Sequence, residues 1–268
     1  MTIPFRLNPA WLEIARISAR SVSAYRFGYL TSLLSLALQL FMLRAVWMAI
    51  YDGRDALNGI PAETQVIFIS IALLQRLLLQ MFIDWTIQGQ VTSGKVALDL
   101  IRPLGFVQQM IARQAGRTFG HLPFVLIMIP VALIIGSLRM PDPANILPYL
   151  GSLVLAYGVS LLTFLLVGMM AFWIMHVNAI RVILHLLTDF LGGVMVPLWF
   201  MPDALRFVLE LLPFQAILFL PASIYAGQVT GTDLVQPFAV QLVWIGLLSL
   251  VVRLVWRRAQ HRIVVQGG

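Results

Sequence analysis

Residues 65–88, QVIFISIALLQRLLLQMFIDWTIQ, form a stretch in which Arg76 and Asp84 are the only charges. A helix that crosses about 30 Å of hydrocarbon needs roughly 20 consecutive, mostly apolar residues, and this stretch has the length. Comparable stretches run over 27–50, 107–137, 146–175, 180–201 and 233–256, so the sequence predicts six membrane-spanning helices. The third carries Arg113, Arg117, Pro123 and Pro130, which places its first turns at the membrane interface. The whole chain agrees: of 268 residues 60% are hydrophobic and only 11% are charged, with a mean hydropathy of +0.91. A soluble domain carries about 25% charged residues, and disordered chains are poor in apolar and aromatic residues, so both classes are excluded. With no cysteine, disulfides, thiolate metal sites and cysteine nucleophiles are excluded too. His121, His176, His185 and His261 are widely separated and leave little for a histidine metal cage. The fold class read from this is an all-α integral membrane protein, a single domain over 1–268.

The segments around the spans give orientation. Over residues 8–24, Trp11, Ile14, Ile17 (or Ser18) and Val22 recur at helical spacing while Arg16 and Arg20 fall on the other side. This is the pattern of an amphipathic helix lying in the membrane plane, assigned to 1–26. Lys and Arg alternate strongly between connections. Arg6, Arg16, Arg20, Arg26, Lys95, Arg102, Arg113, Arg117, Arg181, Arg253, Arg257, Arg258 and Arg262 fall on one side, and Arg54, Arg139 and Arg206 on the other. The side rich in Lys and Arg is cytoplasmic by the positive-inside rule, which predicts both termini there. A net charge of +7 distributed in this way speaks for topology, and no nucleic-acid partner is expected. Residues 202–232 are too apolar for a solvated loop and too rich in Pro and Gly for a span. They read as an external re-entrant helical hairpin before the last span, because non-helical backbone at membrane depth must be buried against protein or line a wet cavity.

Several residues carry possible chemistry. Gly89–Val96 matches a phosphate-binding loop except that Val96 replaces the Ser or Thr that would hold magnesium. A membrane helix also precedes it instead of a strand, so it reads as a loop ending a helix with Gly94 as breaker. The segment 91–106 is a short amphipathic element in which Asp99 and Arg102, three residues apart, can pair on one face. It suits a cytoplasmic partner, or a plain interfacial anchor. Ionisable residues inside spans are expensive and are candidates for function. Arg76, Gln80, Asp84 and Gln88 recur every four residues as a stripe, and His185 and Asp189 are spaced to hydrogen-bond. These groups either line a polar path or gate, or act as interhelical glue. Trp47, Trp85, Trp173, Trp199 and Phe200 either line a path for a hydrophobic cation or form interfacial belts. A hydrolase would need a nucleophile, a base and an oxyanion hole within reach of one another, and no span offers them. No enzyme activity or cofactor is expected in this chain, and no soluble nucleotide domain is visible.

This order of features resembles the permease subunits of ABC-2-type exporters, and in particular a bacterial branch of similar length with a "G-x-[IV]-x-x-x-L-[IL]-R-P" segment and a "VVQGG" ending. The matching residues are GKVALDLIRPL (94–104), LPFQAILFLPASIYAGQVTG (212–231) and LVWIGLLSLVVRLVWRRAQHRIVVQGG (242–268). The resemblance implies a permease in a bacterial inner membrane, paired with an identical or homologous second permease. Two copies of a cytoplasmic ATPase, which carry ATP and magnesium, would drive it to export a hydrophobic or amphipathic small molecule. It implies that the ATPase couples through Trp11, Glu13, Arg16 and Arg20 and through Lys95, Asp99, Arg102 and Pro103. The path would follow spans one, two and five past Arg76, Gln80, Asp84, His185, Asp189 and Phe200. The alternatives are an ion-gradient-coupled carrier using Asp84, Asp189 or His185, and a non-transporting membrane scaffold.

Overall fold

The computed structural model describes residues 9–24, 26–194 and 196–266. Residues 1–8 with Arg6, and the final Gly267 and Gly268, lie outside it. The amphipathic segment is helix α1 (Pro9–Ala24), followed by α2 (Arg26–Tyr51). A two-stranded hairpin, β1 (Ala56–Leu57) and β2 (Ile60–Pro61), follows. Its Asn58-Gly59 turn has positive φ at both residues, the backbone that two-residue hairpin loops require and that Asn-Gly tolerates best.

The decisive stretch does not form one helix. It divides into α3 (Ala62–Leu79) and α4 (Ile83–Thr92), with Gln80 extended at ψ 117°. Neither Pro nor Gly marks the break. Instead its freed backbone groups find side chains on neighbouring helices: Ser160 Oγ donates to the Leu79 carbonyl at 2.9 Å, and the Phe82 N–H donates to Gln114 Oε1 at 3.0 Å. This is how an interrupted helix stays satisfied away from water. After α4, Gly94 turns the chain at φ +70° into the short α5 (Val96–Leu100).

Then come α6 (Phe106–Ile135), which passes Pro123 and Pro130 and ends on left-handed Gly136, and α7 (Pro143–Met169). The latter is capped by the Asp142 carboxylate, which accepts the Ala144 N–H. A single turn, α8 (Ala171–Ile174), leads to α9 (Asn178–Leu191). Here the expected span 180–201 needs correction. The helix stops at Leu191, and Gly192, left-handed Gly193 and Pro197 follow before a short 3-10 turn at Leu198–Phe200. The 14 residues of α9 rise only about 21 Å, short of the hydrocarbon thickness.

Residues 202–232 fold as α10 (Asp203–Glu210), α11 (Phe214–Ile217) and α12 (Phe219–Tyr225), and the chain closes with α13 (Val235–Gln266). Residues 214–225 are almost entirely buried. Two carbonyls at this short-helix junction accept from the long helices: Gln75 Nε2 donates to the Leu218 carbonyl at 2.5 Å and Gln241 Nε2 to that of Ala216 at 3.0 Å. Among the described residues, five helical stretches are long and apolar enough to cross a membrane: Leu30–Tyr51, Ala62–Thr92 with its break, Phe106–Ile135, Pro143–Ile174 and Gly231–Arg262. The largest core cluster gathers α2, α3, α7, α11 and α12, with Phe68 packed edge-on against Trp199 and Phe219.

Candidate functional site

The polar residues of α3 and α4 meet α9. Arg76 of α3 pairs with Asp189 at 2.9 Å, and Asp84 of α4 faces Arg181 at 4.0 Å. A small cleft of about 20 Å³ opens beside the first pair, lined by Arg76, Gln80, His185, Thr188 and Asp189 on its polar side and by Phe164, Ile217 and Leu218 on its apolar side. That is room for about one water molecule with several polar partners. Asp84 is fully buried and no side chain hydrogen-bonds its carboxylate.

Two expectations change here. The break between α3 and α4 means that Arg76, Gln80, Asp84 and Gln88 are not one stripe on one helix. Arg76 and Gln80 face the cleft, whereas Gln88 accepts the Val177 N–H at 3.1 Å and holds the loop before α9. The expected His185–Asp189 hydrogen bond is replaced by two separate contacts: Asp189 is taken by Arg76, and the His185 ring lies 4.5 Å from that of Phe164. Phe200 belongs to a different cluster, stacked on Trp47 at 5.4 Å. The role of Arg181 as the counter-charge to Asp84 was missed, although Arg181…Asp189 repeats the eight-residue spacing of Arg76…Asp84.

The second candidate region is built on α1. Its Ala15 and Val22 are buried and Trp11, Ile14 and Ser18 are half-buried. Ile17 is 60% exposed, so Ser18 takes the packed position. Glu13, Arg16 and Arg20 point outward. The contact with α6 is made through glycines, and a Cβ on Gly116 would come within 2.0 Å of the Ala15 carbonyl oxygen. Small residues that let helix backbones touch are the usual solution where no hydrophobic force drives helices together.

The third region is the segment around α5. Lys95, Arg102 and Pro103 are exposed as expected, together with Leu98, Leu100 and Ile101. Asp99 is different: it is buried, with Oδ1 3.1 Å from both Arg102 and Arg113. Gln109 adds bonds from Nε2 to the Asp99 and Leu104 carbonyls at 2.6 and 2.7 Å. The predicted Asp99–Arg102 pair thus forms, but Asp99 braces the segment from inside and presents nothing to a partner. Arg113 and Gln109 were missed because they stand on the following helix. Gly89–Thr92 is helical, so the apparent phosphate loop has no cradle.

The chain therefore combines long apolar helices, a charged contact between a broken helix and a short one, and a braced segment with an exposed apolar and basic face. Comparison with curated proteins and with solved structures finds no match. The family model described as ABC-2 family transporter protein matches residues 33–267, nearly the whole described chain, and the protein is therefore a member of the ABC-2 transporter family, a membrane component of an ABC transporter.

Proposed function

We propose that this chain is one of two permeases of an ATP-driven exporter that moves a hydrophobic or amphipathic small molecule out of the cytoplasm of a bacterium. A separate ATPase in two copies, each holding ATP and magnesium, supplies the energy. The observation that carries this reading is the α5 segment. Leu98, Leu100 and Ile101 are exposed beside Lys95 and Arg102, while buried Asp99 fixes the segment's shape through two arginines. A surface that is both apolar and rigidly braced is built for a partner. The exposed row Glu13, Arg16 and Arg20 on α1 is the second contact. The family supplies the partner's class, since its members work with an ATPase.

In this reading both termini are cytoplasmic in the inner membrane. The path runs between the two permeases along α2, α3–α4 and α9, and residues 202–232 close it on the outside. The burial of α11 and α12 beside Gln75 and Gln241 supports a re-entrant element there. A gradient-driven carrier using Asp84, Asp189 or His185 is less well supported. Both carboxylates face arginines, which suits locking charges better than capturing a transported cation. The test is a pull-down of the tagged chain from native membranes in mild detergent. A co-purifying ATPase is expected, with or without a second permease. A chain that emerges alone and stable would overturn the exporter reading.

A further inference from the structure

Two segments of the chain share one spacing, RLLLQMFID (76–84) and RVILHLLTD (181–189). Folded against each other in opposite directions, each places its arginine at the other's aspartate. Sliding α9 by one turn, about 5.4 Å, would separate both pairs at once, so the charges fix its register. The interruption at Gln80–Phe82 lies between the two pairs. Arg76 is on α3, Asp84 is in the first turn of α4, and α4 leads through Gly94 directly to the exposed α5. The closed pair at 2.9 Å is on the α3 side of the break, and the pair at 4.0 Å is on the α4 side. A buried carboxylate without a closely paired counter-charge is unfavourable, and no side chain hydrogen-bonds that of Asp84, with Arg181 standing 4.0 Å away. The break is also a stable pivot, since Ser160 and Gln114 satisfy its backbone.

We propose that α4 is a lever hinged at Gln80–Phe82, and that Asp84 and Arg181 are positioning residues that set its two positions while Arg76–Asp189 keeps α9 on α3. In one position Arg181 stands off Asp84, as observed, with Gln88 of α4 holding the Val177 N–H at 3.1 Å, and in the other Arg181 closes on Asp84 and the Gln88 bond is released. The geometry favours this: Asp84 sits just beyond the hinge and α5 about 15 Å further along. A displacement of several ångströms at α5 therefore becomes the short step that closes the pair. The inference rests on the exporter reading only for the source of the push, an ATPase docked on α5.

The chain has no cysteine, so pairs of spin labels can be placed cleanly in the full chain in lipid nanodiscs. Thr92→Cys with Val182→Cys spans the hinged side, and Leu78→Cys with Leu187→Cys the fixed side. The expected result is two distances for the first pair and one for the second. Arg181→Ala, and Asp84→Asn as the shape-preserving variant, should shift the two populations by about tenfold, and Asp84→Arg with Arg181→Asp should restore them. A single distance for both pairs, equal movement of both, or no response to Arg181→Ala would overturn the lever. With the ATPase bound, ATP should move the first pair alone. If no ATPase co-purifies, the exporter reading fails, and the distances in the isolated chain still decide the lever.

Discussion

The interrupted element α3–α4 and the continuous helices α2 and α13 are almost equally apolar, yet they occupy opposite places. The best apolar window of Ala62–Thr92 is 67% buried, against 17% for Leu30–Tyr51 and for Gly231–Arg262. Hydropathy therefore tells which segments enter a membrane but says nothing about which one becomes the centre. What separates them is polar content with partners. Along α3 and α4, Gln65 accepts from Trp199, Gln75 donates to Leu218 and Gln88 holds Val177. By contrast α2 turns Leu30, Leu34, Leu38 and Phe41 outward. In a bilayer, apolar side chains gain little by leaving lipid for protein, and hydrogen bonds and close backbone approach decide helix association. A run of buried, partnered amides thus sets α3–α4 apart from α2, whereas α13 brings one such amide, Gln241, bonded to Ser152 and Ala216.

Glycine substitutions test this contrast most severely. Gly168 of α7 meets α4 so closely that a Cβ would stand 2.8 Å from both Asp84 Cα and Ile87 Cδ1, whereas Gly246 of α13 has nothing within 4 Å. Gly168→Leu should force α4 off α7 and lower stability by about 3 kcal/mol or prevent assembly. Gly246→Leu should stay within about 0.5 kcal/mol of the parent. Thermal unfolding in detergent measures both, and equal losses would erase the distinction between centre and periphery.

A smaller effect is expected at the break itself. Ser160→Ala leaves the Leu79 carbonyl without its donor, and Gln114→Leu leaves the Phe82 N–H without its acceptor. An orphaned buried backbone group costs about 1–3 kcal/mol. Each variant should unfold earlier by that amount while its neighbour's bond persists, and amide hydrogen exchange at Phe82 should accelerate in Gln114→Leu. Unchanged exchange there would mean that the break is held by packing alone. By comparison the surface pair Glu63–Arg139, bidentate at 2.7 and 2.9 Å but well exposed, should contribute at most about 1 kcal/mol. Glu63→Ala measured beside Ser160→Ala would show whether depth outweighs ion-pair geometry.

These cases also show what was legible beforehand. The amphipathic α1 and the Asp99–Arg102 pair followed from spacing, because helical periodicity is a local property. The early end of α9 was signalled by Gly192, Gly193 and Pro197, but the apolar run through them read as one span of sufficient length. The break after Leu79 carried no local signal at all, since its causes, Ser160 and Gln114, stand on other helices. Arg113 and Arg181 were hidden for the same reason: their partners Asp99 and Asp84 come from elsewhere in the chain. Residue spacing reveals contacts within a helix, and a polar residue in an apolar run reveals that a partner exists without saying where.

The finest test compares two glutamines. Gln75 of α3 is buried and bonded to Leu218, while Gln39 of α2 is exposed, one turn beyond the exposed Ser35. Among the described residues Gln39 has no partner in this chain, and an unsatisfied amide facing hydrocarbon is unfavourable. If central burial is what gives a polar residue its structural weight, Gln75→Leu should lower the chain's own unfolding temperature, because it removes the 2.5 Å donor of the Leu218 carbonyl and leaves that oxygen only the longer bond from the Ala222 N–H at 3.4 Å. Gln39→Leu should leave that temperature unchanged. On the two-permease reading, Gln39 finds its partner across the subunit boundary. Its loss should then weaken self-association or hetero-association by about 0.6–2 kcal/mol, the range for hydrogen bonds between membrane helices. Measuring the dimer fraction against protein-to-lipid ratio separates the outcomes. A stability loss in Gln39→Leu with association intact would place that face of α2 inside the chain's own structure and reverse the contrast drawn with α3.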